Sequence, residues 1–375
     1  MQNQPDQERE TWGNLHGSGR RYEQGHEEGP VQRKSQGLEA GETLWGSSRL
    51  QEEWPEPRQA LLARMAARSE SVLLGKGEVI GLAMTAMLAG GHILLEDVPG
   101  VGKTLLARAL ARVLGGKFQR IQFTSDLLPA DLTGSAVWDA RKGEFIYREG
   151  PVMANVVLAD EINRTSPRTQ SALLEAMEER CVTVDGTTRK LPSPWLLIAT
   201  QNPLDSEGTF PLPEAQMDRF MMRLSIGYPE AREEIRMLEM MGAGEQQAPE
   251  QLRPVVSPRQ WEVMAEESRS VHCSPELLAY MVRVVQATRS APELELGASP
   301  RASRDWLRAA QATAYIAGRD YVRPADLKVV ATSVLAHRLA ARGAYGQPDR
   351  ELALRALARL LAETPLSAAG KAAAR

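Results

Sequence analysis

The sequence predicts an α/β fold, a parallel sheet covered on both faces by helices, followed by an all-helical domain and preceded by a disordered polar tail. Three observations carry this reading. Short apolar runs at residues 92–96, 117–123, 156–159 and 195–200 alternate with longer stretches that are apolar at helical spacing; a strand buried on both faces reads as a continuous apolar run. Beyond Tyr228-Pro229 only helical periodicity is found. Residues 1–57 are rich in Glu, Gln, Gly and Arg and poor in Val, Ile and Phe, so they cannot bury enough apolar surface to offset the entropy of ordering.

Taken in order, residues 58–67 and 78–89 read as helices and 92–96 as the first strand. A helix over 104–114 leads to the strand at 117–123. The strand at 156–159 is followed by a helix over 166–179 and by the strand at 195–200. Such alternation of strand and helix is the pattern of a parallel sheet. Two stretches read as hairpins instead: residues 138–150 alternate around Lys142-Gly143-Glu144, and residues 181–188 turn at Asp185-Gly186. In the helical part, residues 230–241, 258–270, 274–290, 299–317 and 323–337 are periodic. Ser274-Pro275-Glu276 and Arg323-Pro324 place proline at a helix start, where its missing N–H costs little. Residues 242–254 form a polar connection. The organisation expected is a tail over 1–57, an α/β domain over 58–228, a helical domain over 229–363 and a flexible C-terminus over 364–375. Trp12, Trp45 and Trp54 stand out in the tail as isolated aromatics.

Composition excludes several classes. A chain of 375 residues is long enough for two domains with their own cores. A formal net charge of −3 gives no sign that a polyanion is the main partner. The two cysteines, Cys181 and Cys273, form no Cys-x-x-Cys and no disulfide framework of the secreted type. There is no run of about eighteen apolar residues, the length a spanning helix needs, and no basic-then-apolar leader at the start. No membrane insertion is expected, and the expected location is the cytoplasm.

The strand at 92–96 runs into Asp97-Val98-Pro99-Gly100-Val101-Gly102-Lys103-Thr104 and then a periodic helix. This is a phosphate-binding loop between a strand and a helix. Gly100 and Gly102 let the backbone approach phosphate oxygens and turn N–H groups toward them. The following helix adds its positive end. Lys103 offers a point charge to the β and γ phosphates, and the Thr104 hydroxyl can ligate Mg²⁺. Asp97 stands where such loops usually have their first glycine. Further on, Val156-Val157-Leu158-Ala159-Asp160-Glu161 is an apolar strand ending in two carboxylates. Carboxylates at the carboxyl end of a parallel strand face the ligand crevice. Asp160 would hold Mg²⁺ through water, and Glu161 would orient and polarise an attacking water.

Four further segments carry a resemblance. Residues 158–164, Leu-Ala-Asp-Glu-Ile-Asn-Arg, continue into 169–177, Thr-Gln-Ser-Ala-Leu-Leu-Glu-Ala-Met. Ile198-Ala199-Thr200-Gln201-Asn202-Pro203 follows, then Leu212-Pro213-Glu214-Ala215-Gln216-Met217-Asp218-Arg219-Phe220, then Gly297-Ala298-Ser299-Pro300-Arg301. Together with residues 123–134, which end Asp131-Leu132-Thr133-Gly134, these segments resemble the motifs of MoxR-type AAA+ ATPases of the helix-2-insert clade, in that family's order, from about residue 71 to 337. The resemblance implies a P-loop AAA+ core with a helical lid, ATP with Mg²⁺ as substrate and cofactor, and a ring, most simply a hexamer. It implies that Asn202 contacts the attacking water or the γ-phosphate, that Arg219 reaches the γ-phosphate of a neighbouring subunit, and that Arg301 contacts phosphate in cis, with Arg304 as the competing candidate. Arg164 is a candidate for a contact between subunits. Leu74 and Gly75 would flank the base, with Lys76 standing where the family often has Gln. The hairpins would face the ring channel. The expected work is chaperone-like remodelling of a protein client, with a von Willebrand factor A domain partner. A nucleic-acid motor, a non-hydrolysing nucleotide switch and a chelatase-type motor are the rival readings; no appended winged-helix pattern or basic stripe supports the first.

Overall fold

The computed structural model of the chain describes residues 54, 56–202, 208–245, 247–341, 343 and 349–366. The expectations for Trp12, Trp45 and most of the tail, for Pro203 and for residues 367–375 lie outside the described residues. Trp54 is described, and it departs from the expectation of a loose tail: the Arg58 guanidinium lies 3.9 Å above its ring, and the indole packs on the core.

Helices α1 (Arg58–Glu70) and α2 (Gly77–Leu88) lead to strand β1 (Ile93–Glu96), helix α3 (Lys103–Leu114) and strand β2 (Phe118–Gln122). A short helix α4 (Pro129–Thr133) opens a hairpin of β3 (Gly134–Asp139) and β4 (Glu144–Glu149). Then come β5 (Val156–Asp160), α5 (Pro167–Glu179), a second hairpin of β6 (Cys181–Val184) and β7 (Thr187–Lys190), β8 (Leu196–Gln201), the short α6 (Glu214–Met217) and β9 (Met222–Leu224). The rest is helical: α7 (Ala231–Ala243), α8 (Pro258–Arg269), α9 (Pro275–Ser290), α10 (Pro300–Ile316), α11 (Pro324–Leu335) and α12 (Arg350–Glu363).

The main sheet has five strands in the order β2-β5-β8-β1-β9, and every pairing in it is parallel. The chain leaves β1, crosses to the far edge at β2 and returns through β5 and β8, so the order reverses beside β1. That reversal opens a crevice at the carboxyl ends of the strands. Alternate strand residues enter two different cores, as the period-2 pleat requires. Ile93, Leu95, Val156, Leu158, Leu196 and Ile198 join a cluster that continues into the helical part through Trp261 and Trp306. Leu94, Val157, Ala159, Leu197 and Ala199 face the other way, against Leu173, Leu174 and Phe220. The hairpin turns fall where the sequence puts them: Gly143 and Asp185-Gly186 have positive φ. The first hairpin starts earlier than expected, at Gly134. There an added Cβ would come within 2.2 Å of the Arg148 carbonyl oxygen, so only glycine lets the two strands close.

Helices α4, α6 and α12 and strand β9 escape the periodicity. Strand β9 is three residues long, too short to show a pattern, and it exists because its backbone pairs with β1, Ile93 opposite Met222. The polar connection after α7 contains a 3₁₀ turn, Pro249–Gln251, and docks on α3 where the Val255 amide donates to the Val113 carbonyl. Proline and serine signals set the helical part correctly. The Ser257, Ser274 and Ser299 hydroxyls accept from the backbone N–H three residues on, each with proline next in line.

Two histidines are buried in this framework. His92 accepts from the Leu197 amide at Nδ1 and meets Trp195 edge-on; His337 Nε2 donates to the Phe220 carbonyl oxygen. Burial holds both well below the ordinary histidine range, with Arg180 adding to the effect at His92 and Arg338 at His337. A base whose folded pKa is depressed gives up protons on folding, so its contribution to stability is full above the unfolded value and is lost as pH falls below it. The unfolding free energy is therefore expected to drop on acidification from about pH 6.5, with a slope of up to about 1.4 kcal/mol per pH unit from each histidine. Urea titrations of His92→Gln and His337→Gln beside the parent chain between pH 7 and 5 should show the slope flattened in each variant.

Candidate functional site

The ends of four strands, β1, β2, β5 and β8, converge on one cavity of about 420 Å³, lined by Pro99, Gly100, Gly102, Lys103, Thr104, Leu105, Arg120, Gln122, Asp160, Glu161 and Asn202. The loop after β1 takes its shape from two left-handed glycines, Gly100 at φ +87° and Gly102 at φ +101°. Gly102 is also the N-cap of α3, and a Cβ there would approach Leu73 Cδ1 to 2.7 Å. Val101 between them is buried and turned into the core. Lys103 Nζ folds back to donate to the carbonyl oxygens of Asp97, at 2.7 Å, and Val98. Partial burial lowers its pKa, while Asp160, Asp97 and Glu161 act to raise it. The result is a concave loop with an ammonium at its centre and the N-terminus of α3 behind it, which is a receptor for phosphate.

Asp97, the residue that departs from the usual first glycine, has a clear structural role. Its buried carboxylate accepts from Ser225 Oγ at 3.0 Å and from the backbone N–H groups of Ile226 and Gly227. These residues follow β9 and lead into α7, so the phosphate loop is pinned to the segment that leaves the sheet. Lys76 Nζ ties a second loop to the same segment by donating to the Tyr228 carbonyl at 2.8 Å.

On the opposite wall, β5 ends in Asp160 and Glu161. Asp160 Oδ1 accepts from Thr200 Oγ1 at 2.6 Å, and the same hydroxyl accepts from the Glu161 amide at 2.9 Å. Glu161 has φ 59° and ψ 50°, a left-handed conformation that is uncommon outside glycine and costs about 1–2 kcal/mol. Its carboxylate accepts from Gln122 Nε2 at 2.8 Å and pairs with Arg164 at 3.2 Å. Asp160 Oδ2 accepts from Arg120, whose Nε lies 3.0 Å away. The threonine, the strained backbone and the glutamine together aim Glu161 into the cavity.

Of the residues the sequence singled out, Pro99, Gly100, Gly102, Lys103, Thr104, Asp160, Glu161 and Asn202 line this one cavity. Leu74 and Gly75 do not line it; Gly75, at φ +68°, lies under the Glu233 side chain, and the neighbouring Leu73 is the residue that packs on the loop. Arg164 pairs within its own chain. Arg219 and Arg301 are elsewhere. Arg219 donates to the Leu174 carbonyl at 2.9 Å and pairs with Glu178 at 3.2 Å, and Arg301 pairs with the same Glu178. The Arg301 hydrogen bond, aided by nearby Arg219 and Arg304, holds the Glu178 carboxyl below its usual range. Arg219 lines a second cavity of about 290 Å³ with Ser171, Glu175, Glu178, Glu179 and Gln216, and the two cavities share no residue. The Arg301 guanidinium is thus held on α5 by Glu178, outside the phosphate cavity. Arg304 pairs with Asp305. Arg120, Gln122 and Thr200 were missed. The signal for the first two was present: polar side chains two residues apart near the carboxyl end of β2 share a face. Thr200 looked like one more apolar-run residue.

The comparisons agree with this geometry. A family model described as "ATPase family associated with various cellular activities (AAA)" matches residues 92–222, and an "AAA lid domain" model matches residues 286–357. The uncharacterized protein YeaC of Bacillus subtilis is 49% identical over 76% of this chain and 89% of its own length. Chaperone MoxR1 of Mycobacterium tuberculosis is 44% identical over 74% of this chain and 75% of its own. A solved structure from Cytophaga hutchinsonii, described as a candidate ATPase, superposes with a TM-score of 0.73 at 38% identity, covering 80% of this chain and 94% of that one.

The Asp97 anchor can be tested without nucleotide. Asp97→Ala leaves the buried Ile226 N–H and its neighbour without acceptors, which is expected to cost about 1–3 kcal/mol, read as a lower urea midpoint. Asp97→Asn keeps one carbonyl acceptor and should lose less.

Proposed function

Since the chain belongs to the MoxR family of AAA+ ATPases, we propose that it hydrolyses ATP at an interface between subunits and uses the cycle to remodel a protein client. The observation that carries this reading is the pairing of a phosphate loop with Asp160 and Glu161 across one cavity, while Arg219 and Arg301 stand together outside it.

The nucleotide site divides into roles by chemistry. Backbone N–H groups of the loop and Lys103 bind the β and γ phosphates. Leu74 and Gly75, outside the phosphate cavity, would border the base. Thr104 and Asp160 offer hard oxygen donors on facing walls, a set that suits Mg²⁺, which keeps several of its waters. Bound there, Mg²⁺ would neutralise phosphate charge during transfer. Glu161 is the acceptor that orients the attacking water. Gln122 and Arg164 hold that carboxylate in its present position, so they compete with water for it and set its readiness. Asn202 can donate and accept at once, which suits it to a water beside the γ-phosphate.

Arg219 and Arg301 complete the site of the adjacent subunit, where a planar guanidinium stabilises charge spread over phosphate oxygens. Their separation from the phosphate cavity of their own chain supports action in trans. A head-to-tail contact of this kind closes into a ring, and a hexamer is the ring we propose. Residues 58–228 act as the nucleotide-binding domain and residues 229–363 as the lid. Exposed Trp138 and Phe145, packed edge-to-face at 5.2 Å on the β3–β4 hairpin, supply an apolar contact for a client in the channel. A partner with a von Willebrand factor A domain and a role in maturing complexes rest on family membership.

ATP turnover measured across protein concentration tests the shared site. The rate per subunit is expected to rise with concentration in the parent chain. It should fall by about 100-fold or more in Glu161→Gln and in Arg219→Ala. Turnover independent of concentration and indifferent to Arg219 would sink the trans arrangement.

A further inference from the structure

Arg338 lies in the 3₁₀ turn Ala336–Arg338 after α11, far along the chain from Arg219, and its side chain is only 1% exposed. A guanidinium buried this deeply is costly unless its partners are well placed. Its partners bracket one residue. Arg338 Nη2 donates to the carbonyl oxygens of Asp218, at 3.2 Å, and Phe220, at 2.8 Å, the residues on either side of Arg219. Its Nε lies 3.3 Å from the Asp218 carboxylate. His337 adds a second donor to the Phe220 carbonyl at 2.9 Å.

The same groups reach the helix that carries Arg301. The Asp218 carboxylate accepts from Ser299 Oγ, with distances of 3.0 and 2.9 Å to its two oxygens, and Ser299 is the N-cap of α10. Asp305, six residues further along α10, accepts from Arg338 Nη2 at 2.7 Å. Arg219 and Arg301 then meet again at their tips, on Glu178. No hydrogen bond of this network touches the phosphate cavity.

We propose that Arg338 is a positioning residue for Arg219: it clamps the backbone on both sides of the finger and, through Asp218 and Asp305, fastens it to the N-terminus of α10, so that Arg219 and Arg301 are offered to the neighbouring subunit as one unit set by the helical domain. A loop segment such as 218–220 would otherwise adjust independently of the lid. Fastened in this way, a shift of the lid in one subunit moves the finger that serves the next subunit's nucleotide.

The inference rests on the trans reading above, and the test separates the two. Arg338→Met is expected to lower kcat by about 10-fold or more, with KM for ATP within about twofold, because a finger acts on the transition state rather than on bound substrate. Arg338→Lys is expected to restore kcat only in part, since all three hydrogen bonds leave Nη2 and an ammonium can donate to the same acceptors, but it has no counterpart of the Nε beside the Asp218 carboxylate. The deciding measurement mixes variants. In head-to-tail rings formed one-to-one from Arg338→Met and Glu161→Gln subunits, about one interface in four pairs an intact Glu161 with an intact finger, so about a quarter of parent turnover should return. The control mixture is Arg219→Ala with Glu161→Gln. Recovery in both mixtures supports the inference. Recovery in the control alone overturns it and leaves the trans reading standing. Failure of both removes the trans reading and the inference with it. Should Arg338→Met not fold, as judged by its unfolding midpoint, Asp218→Asn takes its place in the same mixture, with the same outcomes expected and a smaller loss of kcat.

Discussion

Three central parallel strands, β1, β5 and β8, packed on both faces, leave their polar residues nowhere to go but the strand ends. The middle of β1, β5 and β8 is apolar on every residue because each face meets a core. Polar and charged side chains therefore collect where the strands stop, and because the strands run the same way they collect on one edge. Gln122, Asp160, Thr200 and the loop after Glu96 share that edge, with Gln122 opposite Asp160 and Leu95 opposite Thr200 in the register. The cavity is a consequence of the sheet, not an addition to it.

Within the cavity the same economy recurs. A single hydroxyl, Thr200 Oγ1, donates to Asp160 and accepts from the Glu161 amide. It satisfies one carboxylate and stabilises the left-handed turn that aims the other. The strain at Glu161 is thereby held by a bond from a neighbouring strand rather than by its own sequence. Asp97 does the corresponding work on the other wall. Where a glycine would leave the loop free, its carboxylate grips the segment after β9, so the phosphate loop and the start of the helical part are mechanically one piece.

The helical part completes this linkage from behind. Its core is continuous with one face of the sheet, and its buried Arg338, itself paired with Asp305, is bonded to the segment that carries Arg219. Buried ion pairs contribute little net stability. Their presence here is better understood as fixing one arrangement of the 218–220 segment against α10. The loop anchored by Asp97 and the segment that carries Arg219 are thus joined through packed elements with few degrees of freedom between them.

Much of this could be read from the sequence. Apolar runs located β1, β5 and β8 because a fully buried strand needs continuous hydrophobicity, periodicity located α8 and α10, and the Ser274-Pro275 and Arg323-Pro324 starts located α9 and α11 because proline at a helix start is local chemistry. The phosphate loop and the Asp160-Glu161 pair were legible for the same reason: their chemistry requires particular residue types at short, fixed spacing. Other features were decided only by the tertiary structure. Strand β9 exists through its pairing with β1, Thr200 acquires its role from register, and Gln122 and Arg120 matter because β2 lies beside β5. Arg219 and Arg301 are drawn to one glutamate, Glu178, by packing between elements far apart in the chain. Local propensity and spacing act over a few residues and are written in the sequence; which distant groups come to share a hydrogen bond is set by how the buried faces fit together.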